Sequence, residues 1–174
     1  KAFVSGNPVR PAFLRMEDEP VGARKVLIFG GSQGAHAINM AMVEAAPQLA
    51  AHGGGMAITH QTGERDLEYV RDGYRRAGLT ARVEPFLYAM DREMKAADLV
   101  VCRAGATTIA ELTAAGRAAL FIPLPTAADD HQRRNAEVLA RAGAAELLEQ
   151  RGLTGERLAE RILALAADEE TRTA

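Results

Sequence analysis

Two short segments rich in Gly, Ser and Thr could bind a phosphate group. Residues 30–34 (GGSQG) and residues 103–108 (RAGATT) each follow a short apolar run and are expected to lead into a helix. Neither helix has an acidic residue before Glu44 or Glu111. Because free amides and the helix dipole attract anions, two helix N-termini without acids favour a ligand that carries a diphosphate. The alternative for the first segment is a simple tight turn capped by Ser32.

The other predicted helices open with acids, as helix N-termini commonly do. These acids are Glu64, Asp66, Asp91, Glu93, Asp129, Asp130 and Glu156. The first Gly-rich segment matches neither the dinucleotide fingerprint nor the P-loop, and no Lys is placed to reach a phosphate. The pattern therefore argues against hydride transfer and against a kinase.

A third segment, residues 127–135, mixes carboxylates, amides and an imidazole beyond the fifth apolar run. Its acids would repel a diphosphate, but the mixture suits the hydroxyl groups of a sugar. The alternative is a well-capped surface helix. Asp129 and Asp130 are adjacent rather than alternating, so they are interpreted as a cap and not as a metal motif. Glu111 could face ribose hydroxyls, or it could be a solvated helical residue.

Four segments in this order resemble the MurG family. They are residues 4–10 (VSGNPVR), 30–35 (GGSQGA), 102–111 (CRAGATTIAE) and 130–136 (DHQRRNA). That family is the peptidoglycan N-acetylglucosaminyltransferase, a two-domain GT-B enzyme, and the chain resembles its C-terminal, donor-binding half. The resemblance implies inverting transfer of N-acetylglucosamine from UDP-N-acetylglucosamine to the 4-hydroxyl of lipid I, giving lipid II. It also implies a bacterial enzyme peripheral to the cytoplasmic face of the inner membrane.

The resemblance also implies a role for particular residues. Arg10 and Ser32 would lie against the diphosphate, Leu87 would meet the uracil through its backbone, and Glu111 would bind the ribose. Further implied donor-site residues are Gln33, Gly34, Ala106, Thr107, Thr108, Ile109 and Ala110 along the nucleotide, His131, Gln132 and Asn135 at the sugar, and Arg103 at the mouth. The chain departs from the family at Tyr88, where an acid is common, and at His131, where Gln is common.

The resemblance assigns the remaining machinery to the family's N-terminal half. That half carries the acceptor loops, the candidate general base and the membrane-docking patch, so no catalytic residue is expected in this chain. No cofactor is required, and although a divalent cation is compatible with the sequence, nothing indicates one.

The elements that must position these residues follow an alternating βα pattern. Short apolar runs predict strands over 26–29, 56–60, 82–86, 99–102, 119–122 and 144–148, with Pro85 ending the third strand or placing it at an edge. Amphipathic stretches predict the helices between them, the first over about 34–52. We expect an α/β, Rossmann-like, doubly wound, mostly parallel sheet of about six strands over residues 25–174, with residues 1–24 as an interdomain connector and the start of the donor domain.

Composition restricts the other function classes. The chain has 174 residues, 48% of them apolar, and a net charge of −2, which argues against a nucleic-acid binder. No apolar run approaches the roughly 20 residues that cross a bilayer. A single cysteine, Cys102, ends an apolar strand and is interpreted as a small core residue and not a nucleophile. Two alternatives remain open: a UDP-N-acetylglucosamine 2-epimerase and a non-catalytic nucleotide-binding module.

Overall fold

Parallel strands alternate with helices in the computed structural model, which describes residues 7–14, 24–31, 35–52, 54–127 and 130–167. The strands are β1 (Arg24–Phe29), β2 (Met56–Gln61), β3 (Ala81–Glu84), β4 (Leu99–Cys102), β5 (Ala118–Phe121) and β6 (Ala145–Leu147). The α-helices are α1 (His36–His52), α2 (Leu67–Ala77), α3 (Met90–Ala96), α4 (Ala106–Ala115), α5 (His131–Arg141) and α6 (Gly155–Ala167). A short 3₁₀ helix, Pro11–Leu14, precedes β1.

The predicted strands are confirmed, with small differences at their ends. β4 has the predicted bounds because its four residues form an uninterrupted apolar run. β3 ends at Glu84, directly before Pro85, and lies at an edge of the sheet, as a proline there requires. α1 ends at the exposed His52, in agreement with the predicted end of the first helix.

All six strands form one parallel sheet in the order β3-β2-β1-β4-β5-β6. The chain runs outward from β1 to β3, then returns to β4 on the other side of β1. Phe29 at the end of β1 is level with Cys102 at the end of β4. The order therefore reverses between β1 and β4, and in doubly wound sheets ligands bind outside the carboxyl ends of the strands at this point.

Helices cover both faces of the sheet. Val26 and Ile28 of β1 face a core built with α1, α2 and α6. Leu27 and Phe29 face the opposite core, which includes residues of α3, α4 and α5. Phe13, within the predicted connector, is fully buried in this second core. Burial on both faces explains why the central strands are continuous apolar runs instead of alternating ones. Within the described ranges, no helix combines the length and apolarity needed to cross a bilayer.

Candidate functional site

A crevice of about 570 Å³ opens at the carboxyl ends of β1 and β4. Gly31 and His36 line it from the β1–α1 connection, and Gly105 and Thr108 line it from the start of α4. Residues from the segments after β5 and β6 close the far side; they are Leu124, Gln132 and Gln150. The crevice therefore lies where the strand order reverses.

The N-termini of α1 and α4 have no acid in their first turns, as predicted. The N-cap of α4 is Gly105, which has no side chain to occupy the first amides. Ala106 and Thr107 are exposed, whereas Thr108, Ile109 and Ala110 are half-buried. Because the first amides of a helix lack intrahelical partners, this end of α4 can accept an anion.

Two predictions about the other helix starts are wrong. α5 begins at His131 and has no acid in its first turn. Asp130 occupies its N-cap with a left-handed backbone (φ 54°), but the side chain makes no capping hydrogen bond, so it does not act as the expected cap. Glu64 and Asp66 precede α2, which begins only at Leu67 and has Glu68 in its first turn. Asp129 lies outside the described residues.

The first Gly-rich segment is described only at Gly30 and Gly31, and Ser32, Gln33 and Gly34 lie outside the described residues. Gly31 has a φ of 100°, a conformation that favours glycine. A Cβ atom on Gly30 would come within 2.1 Å of the Ala35 Cβ. The end of β1 therefore approaches the start of α1 so closely that only glycine fits at Gly30.

Glu111 is buried, at 5% exposure, and pairs with Arg10. The Arg10 Nε and Nη2 atoms lie 2.9 and 2.8 Å from Glu111 Oε1. The Arg10 guanidinium also stacks over the Phe13 ring, 4.8 Å from its centre. The alternative of a solvated Glu111 is therefore wrong, and two predicted nucleotide ligands meet directly beside α4.

Of the residues predicted at the sugar and at the mouth, Arg103 and Gln132 line the crevice. Arg103 donates from Nη1 to the Ile122 carbonyl (2.7 Å) and from Nη2 to Gln150 Oε1 (2.6 Å). Its burial lowers the pKa of the guanidinium below the usual value. Gln132 Oε1 accepts the Leu124 amide (3.0 Å).

Two further predicted sugar ligands lie on α5. Asn135 donates from Nδ2 to the Ala104 carbonyl (3.2 Å), which ties α5 to the segment after β4. His131 is exposed at the first turn of α5. Neither His131 nor Asn135 lines the crevice, so of the predicted sugar ligands on α5 only Gln132 reaches it.

The structure narrows which backbone group of Leu87 is open for the predicted uracil contact. The Leu87 amide already donates to Gln61 Oε1 at 2.8 Å, so it is occupied. The neighbouring Phe86 and Tyr88 form an edge-to-face pair with ring centres 5.0 Å apart, and Tyr88 is 93% exposed. A base at Leu87 would therefore use its carbonyl.

A buried chain of polar groups connects α2 to the β1–α1 connection. His60 Nδ1 lies 2.7 Å from the Tyr74 hydroxyl and His60 Nε2 lies 3.0 Å from Asn39 Oδ1. Asn39 donates from Nδ2 to Asp66 Oδ2 (2.8 Å), and both Asp66 oxygens lie 3.0 Å from His36 Nδ1. Because Asn39 Oδ1 can only accept, His60 carries its proton on Nε2 and accepts from Tyr74.

Two of the ionisable groups inside this chain, His60 and Asp66, have lowered pKa values. Burial lowers the pKa of His60 from 6.5 to about 3, although the Asp66 charge opposes this shift. Burial of Asp66 opposes its ionisation. This effect is outweighed by hydrogen bonds from Asn39 and His36 and by the charges of His36 and Arg65, so the pKa of the Asp66 carboxyl is lowered. Asp66 is therefore an anion that holds His36 at the edge of the crevice.

The neutral state of His60 predicts a pH dependence of stability. Its folded pKa lies below the unfolded value of 6.5, so protonation favours the unfolded chain and stability falls from about pH 6.5 towards pH 3. Between pH 7 and pH 5, wild type should lose about 2 kcal/mol more than His60→Gln, which cannot titrate. Urea unfolding of both proteins at the two pH values measures this difference. Equal losses would contradict the account.

The described residues include no cluster of metal ligands, and their one cysteine is not reactive. Within the described ranges, no three His, Cys, Asp or Glu side chains are grouped to hold a metal ion. Cys102 is fully buried, and burial raises the pKa of its thiol, which disfavours the nucleophilic thiolate.

The sequence interpretation missed Gln61 and Gln150. Gln61 is 2% exposed and hydrogen-bonds to both the Gly31 carbonyl (2.9 Å) and the Leu87 amide. Its signal was present in the sequence: it is a polar residue next to an apolar strand whose carboxyl end points towards the site. Gln150 carries no comparable signal, because it follows the short strand β6.

Comparison with known proteins gives consistent results. The model of the glycosyltransferase family 28 C-terminal domain matches residues 25–174. A Pelobacter propionicus protein named UDP-N-acetylglucosamine–N-acetylmuramyl-(pentapeptide) pyrophosphoryl-undecaprenol N-acetylglucosamine transferase is 62% identical over 82% of this chain and 38% of its own length. A Syntrophus aciditrophicus protein of the same name is 52% identical, over 93% of this chain and 46% of its own length. The chain thus spans less than half the length of these relatives.

Solved structures show the same architecture. The crystal structure of MurG from Acinetobacter baumannii is similar with a TM-score of 0.79 and 39% identity, over 97% of this chain and 48% of that one. A UDP-GlcNAc 2-epimerase from Neisseria meningitidis is 14% identical with a TM-score of 0.60, over 92% of this chain and 39% of that one. At that identity the epimerase supports the fold alone.

Proposed function

The chain belongs to the glycosyltransferase family 28 C-terminal domains, and on that premise we propose that it is the donor-binding half of a MurG-type N-acetylglucosaminyltransferase. The donor is UDP-N-acetylglucosamine, and the acceptor is lipid I, the undecaprenyl-pyrophosphoryl muramoyl pentapeptide. The product of the complete enzyme is lipid II. The relatives at 52 and 62% identity, which carry the transferase name, support this reaction over the epimerase alternative.

The observation that carries the proposal is that the acid-free N-termini of α1 and α4 lie at one crevice, which the acid-free first turn of α5 also reaches through Gln132. α1 and α4 follow the adjacent strands β1 and β4, so their first amides converge on the same space. A diphosphate there would be held by two helix dipoles and by backbone N–H groups. Ser32, Gln33 and Gly34 are proposed as further diphosphate ligands from the family resemblance.

The same arrangement would assist the reaction. As the acceptor hydroxyl attacks the anomeric carbon with inversion, the sugar–oxygen bond breaks and negative charge grows on the departing UDP. Donors already aimed at that charge stabilise the transition state more than the ground state. Arg10, beside α4, supplies a positive charge to the same group.

The nucleoside would lie along α4 and the β3–α3 connection. Glu111 presents a buried carboxylate that can accept both ribose hydroxyls. The segment from Ala106 to Ala110 forms the wall against which the nucleotide rests. The uracil would contact the Leu87 carbonyl, since the Leu87 amide already donates to Gln61.

The sugar would lie between α5 and Arg103. The oxygen of the Gln132 side chain is taken by the Leu124 amide, so we assign its nitrogen to a sugar hydroxyl. The side-chain nitrogen of Asn135 likewise donates to the Ala104 carbonyl, so we assign the side-chain oxygen of Asn135 to a sugar hydroxyl. His131 can donate or accept at the same edge. Arg103 orients this side of the crevice through Ile122 and Gln150.

The rest of the enzyme lies outside this unit. We propose that residues 1–24 connect it to an acceptor-binding domain that supplies the general base and docks on the cytoplasmic face of the bacterial inner membrane. The 174-residue chain would then bind the donor without turning it over. The proposed reaction requires no metal ion or cofactor.

Two experiments test the proposal. Calorimetric titration of the 174-residue chain with UDP should show binding, and the absence of binding would overturn the assignment. A chimera that places the N-terminal half of the Syntrophus aciditrophicus relative before this chain should transfer labelled N-acetylglucosamine to lipid I, whereas the chain alone should not. Production of N-acetylmannosamine from the donor alone would instead identify an epimerase.

A further inference from the structure

The Gln61 side chain joins two loops that enter the proposed donor site from different strands. Its Nε2 donates to the Gly31 carbonyl (2.9 Å), directly after β1, and its Oε1 accepts the Leu87 amide (2.8 Å), after β3. Gln61 itself is the last residue of β2, which lies between those strands in the sheet. At 2% exposure it is shielded from water, so these two hydrogen bonds satisfy it.

The segment between β2 and α2 also binds the start of α1, which follows the first Gly-rich segment. The Asp66 carboxylate accepts from His36 Nδ1, at the first residue of α1. Asn39 in turn fixes Asp66 by donating to its Oδ2, and donates to the Thr62 carbonyl as well. Gly31 and His36, on either side of residues 32–34, are therefore tied to the last residue of β2 and to the segment that follows β2.

We infer that Gln61 is a positioning residue that sets the spacing between the diphosphate-binding end of β1 and the base-binding loop at Leu87. The inference rests on the proposed function, since it assumes that a uridine nucleotide spans these two loops. Gln61 touches neither reacting atom and acts through Gly31 and Leu87. The amide is suited to this because it offers a donor at one atom and an acceptor at the other, which no carboxylate or apolar side chain does.

Two nearly isosteric variants separate the two hydrogen bonds. Gln61→Glu at pH 8 keeps an acceptor for the Leu87 amide but faces the Gly31 carbonyl with a charged oxygen. Gln61→Met removes both hydrogen bonds. The matched control is Tyr74→Phe, which removes a buried hydrogen bond to the adjacent His60 but touches neither loop.

The readout is binding of UDP and of uridine to the 174-residue chain, by calorimetry and NMR titration. We expect Gln61→Glu to weaken UDP binding at least tenfold and uridine binding less than threefold. Gln61→Met should weaken both at least fivefold, and Tyr74→Phe should change each less than twofold. Circular dichroism and urea unfolding verify that each variant is folded.

The outcomes separate this inference from the proposed function. If wild type does not bind UDP, the proposed function fails. If wild type binds and both Gln61 variants bind UDP as wild type does, the positioning role is wrong. The role is also wrong if Tyr74→Phe reproduces their losses, because the effect would then follow from reduced stability. If Gln61→Glu does not fold, the UDP affinities of Gln61→Met and Tyr74→Phe are compared, and that comparison decides between these outcomes.

Discussion

Ala106→Asp is expected to stabilise the chain while weakening its affinity for UDP about a hundredfold. Ala106 is the exposed first residue of α4. A carboxylate there complements the helix dipole and should raise the free energy of unfolding by about 0.3–1 kcal/mol. The same carboxylate would face the bound diphosphate. Two unit charges about 5 Å apart repel by roughly 3 kcal/mol at an effective dielectric constant near 20, which is about a hundredfold in affinity.

The opposite signs of the two effects make this variant informative. A substitution that merely damages the fold lowers both stability and binding, whereas this one should separate them. Urea unfolding and calorimetric titration with UDP measure the two quantities.

Gly54→Asp is the matched control, because it adds the same charge at an open position beside Gly55, whose carbonyl pairs with the first residue of β1. Gly54 lies at the amino ends of the strands, opposite the crevice, so Gly54→Asp should leave the UDP affinity unchanged. Unaltered UDP affinity in Ala106→Asp would exclude α4 as a phosphate site.

Glu111→Ala is expected to remove the preference for a ribose that carries both hydroxyl groups. Hydrogen bonds to a charged group contribute about 1.5–3 kcal/mol, so wild type should bind UDP roughly 10 to 100 times more tightly than 2′,3′-dideoxy-UDP. In Glu111→Ala the two nucleotides should bind about equally. Competition titrations with both nucleotides give the ratio directly.

The ratio is needed because Glu111 also holds Arg10. Releasing the guanidinium would weaken any contact with the diphosphate, but that loss is common to both nucleotides and cancels in the ratio. Arg10→Ala is therefore the control, since it should weaken both nucleotides without changing the preference. A preference that survives in Glu111→Ala would show that the carboxylate does not read the ribose. Urea unfolding of Arg10→Ala accompanies the titration, because the Glu111 side chain is only 7% exposed and loses its cation in that variant.

The fold could be predicted from the sequence because its signals are local. Buried parallel strands are short apolar runs, and proline at the end of β3 marks an edge. The order of these runs and the helices between them leave few arrangements other than a doubly wound sheet. The family match supports the same architecture, as the C-terminal half of a GT-B enzyme.

The contacts inside the site could not be predicted in the same way. Arg10 and Glu111 are separated by 101 residues, and no spacing rule indicates that they pair. Gln61 and Asp66 lie in a segment that reads as an ordinary strand end and helix start. Their roles depend on β2 lying next to β1, which brings the segment after β2 against the start of α1. Asp130 fails as a cap for a similar reason, because the backbone there turns left-handed and directs the side chain elsewhere.

The measurement that tests the central claim most directly is a crystal structure of this chain soaked with UDP. The account predicts the diphosphate between the N-termini of α1 and α4, with the ribose within hydrogen-bond distance of Glu111 and the uracil beside Leu87. UDP bound elsewhere on the chain, or those two helix ends filled by protein side chains while UDP is bound, would contradict it.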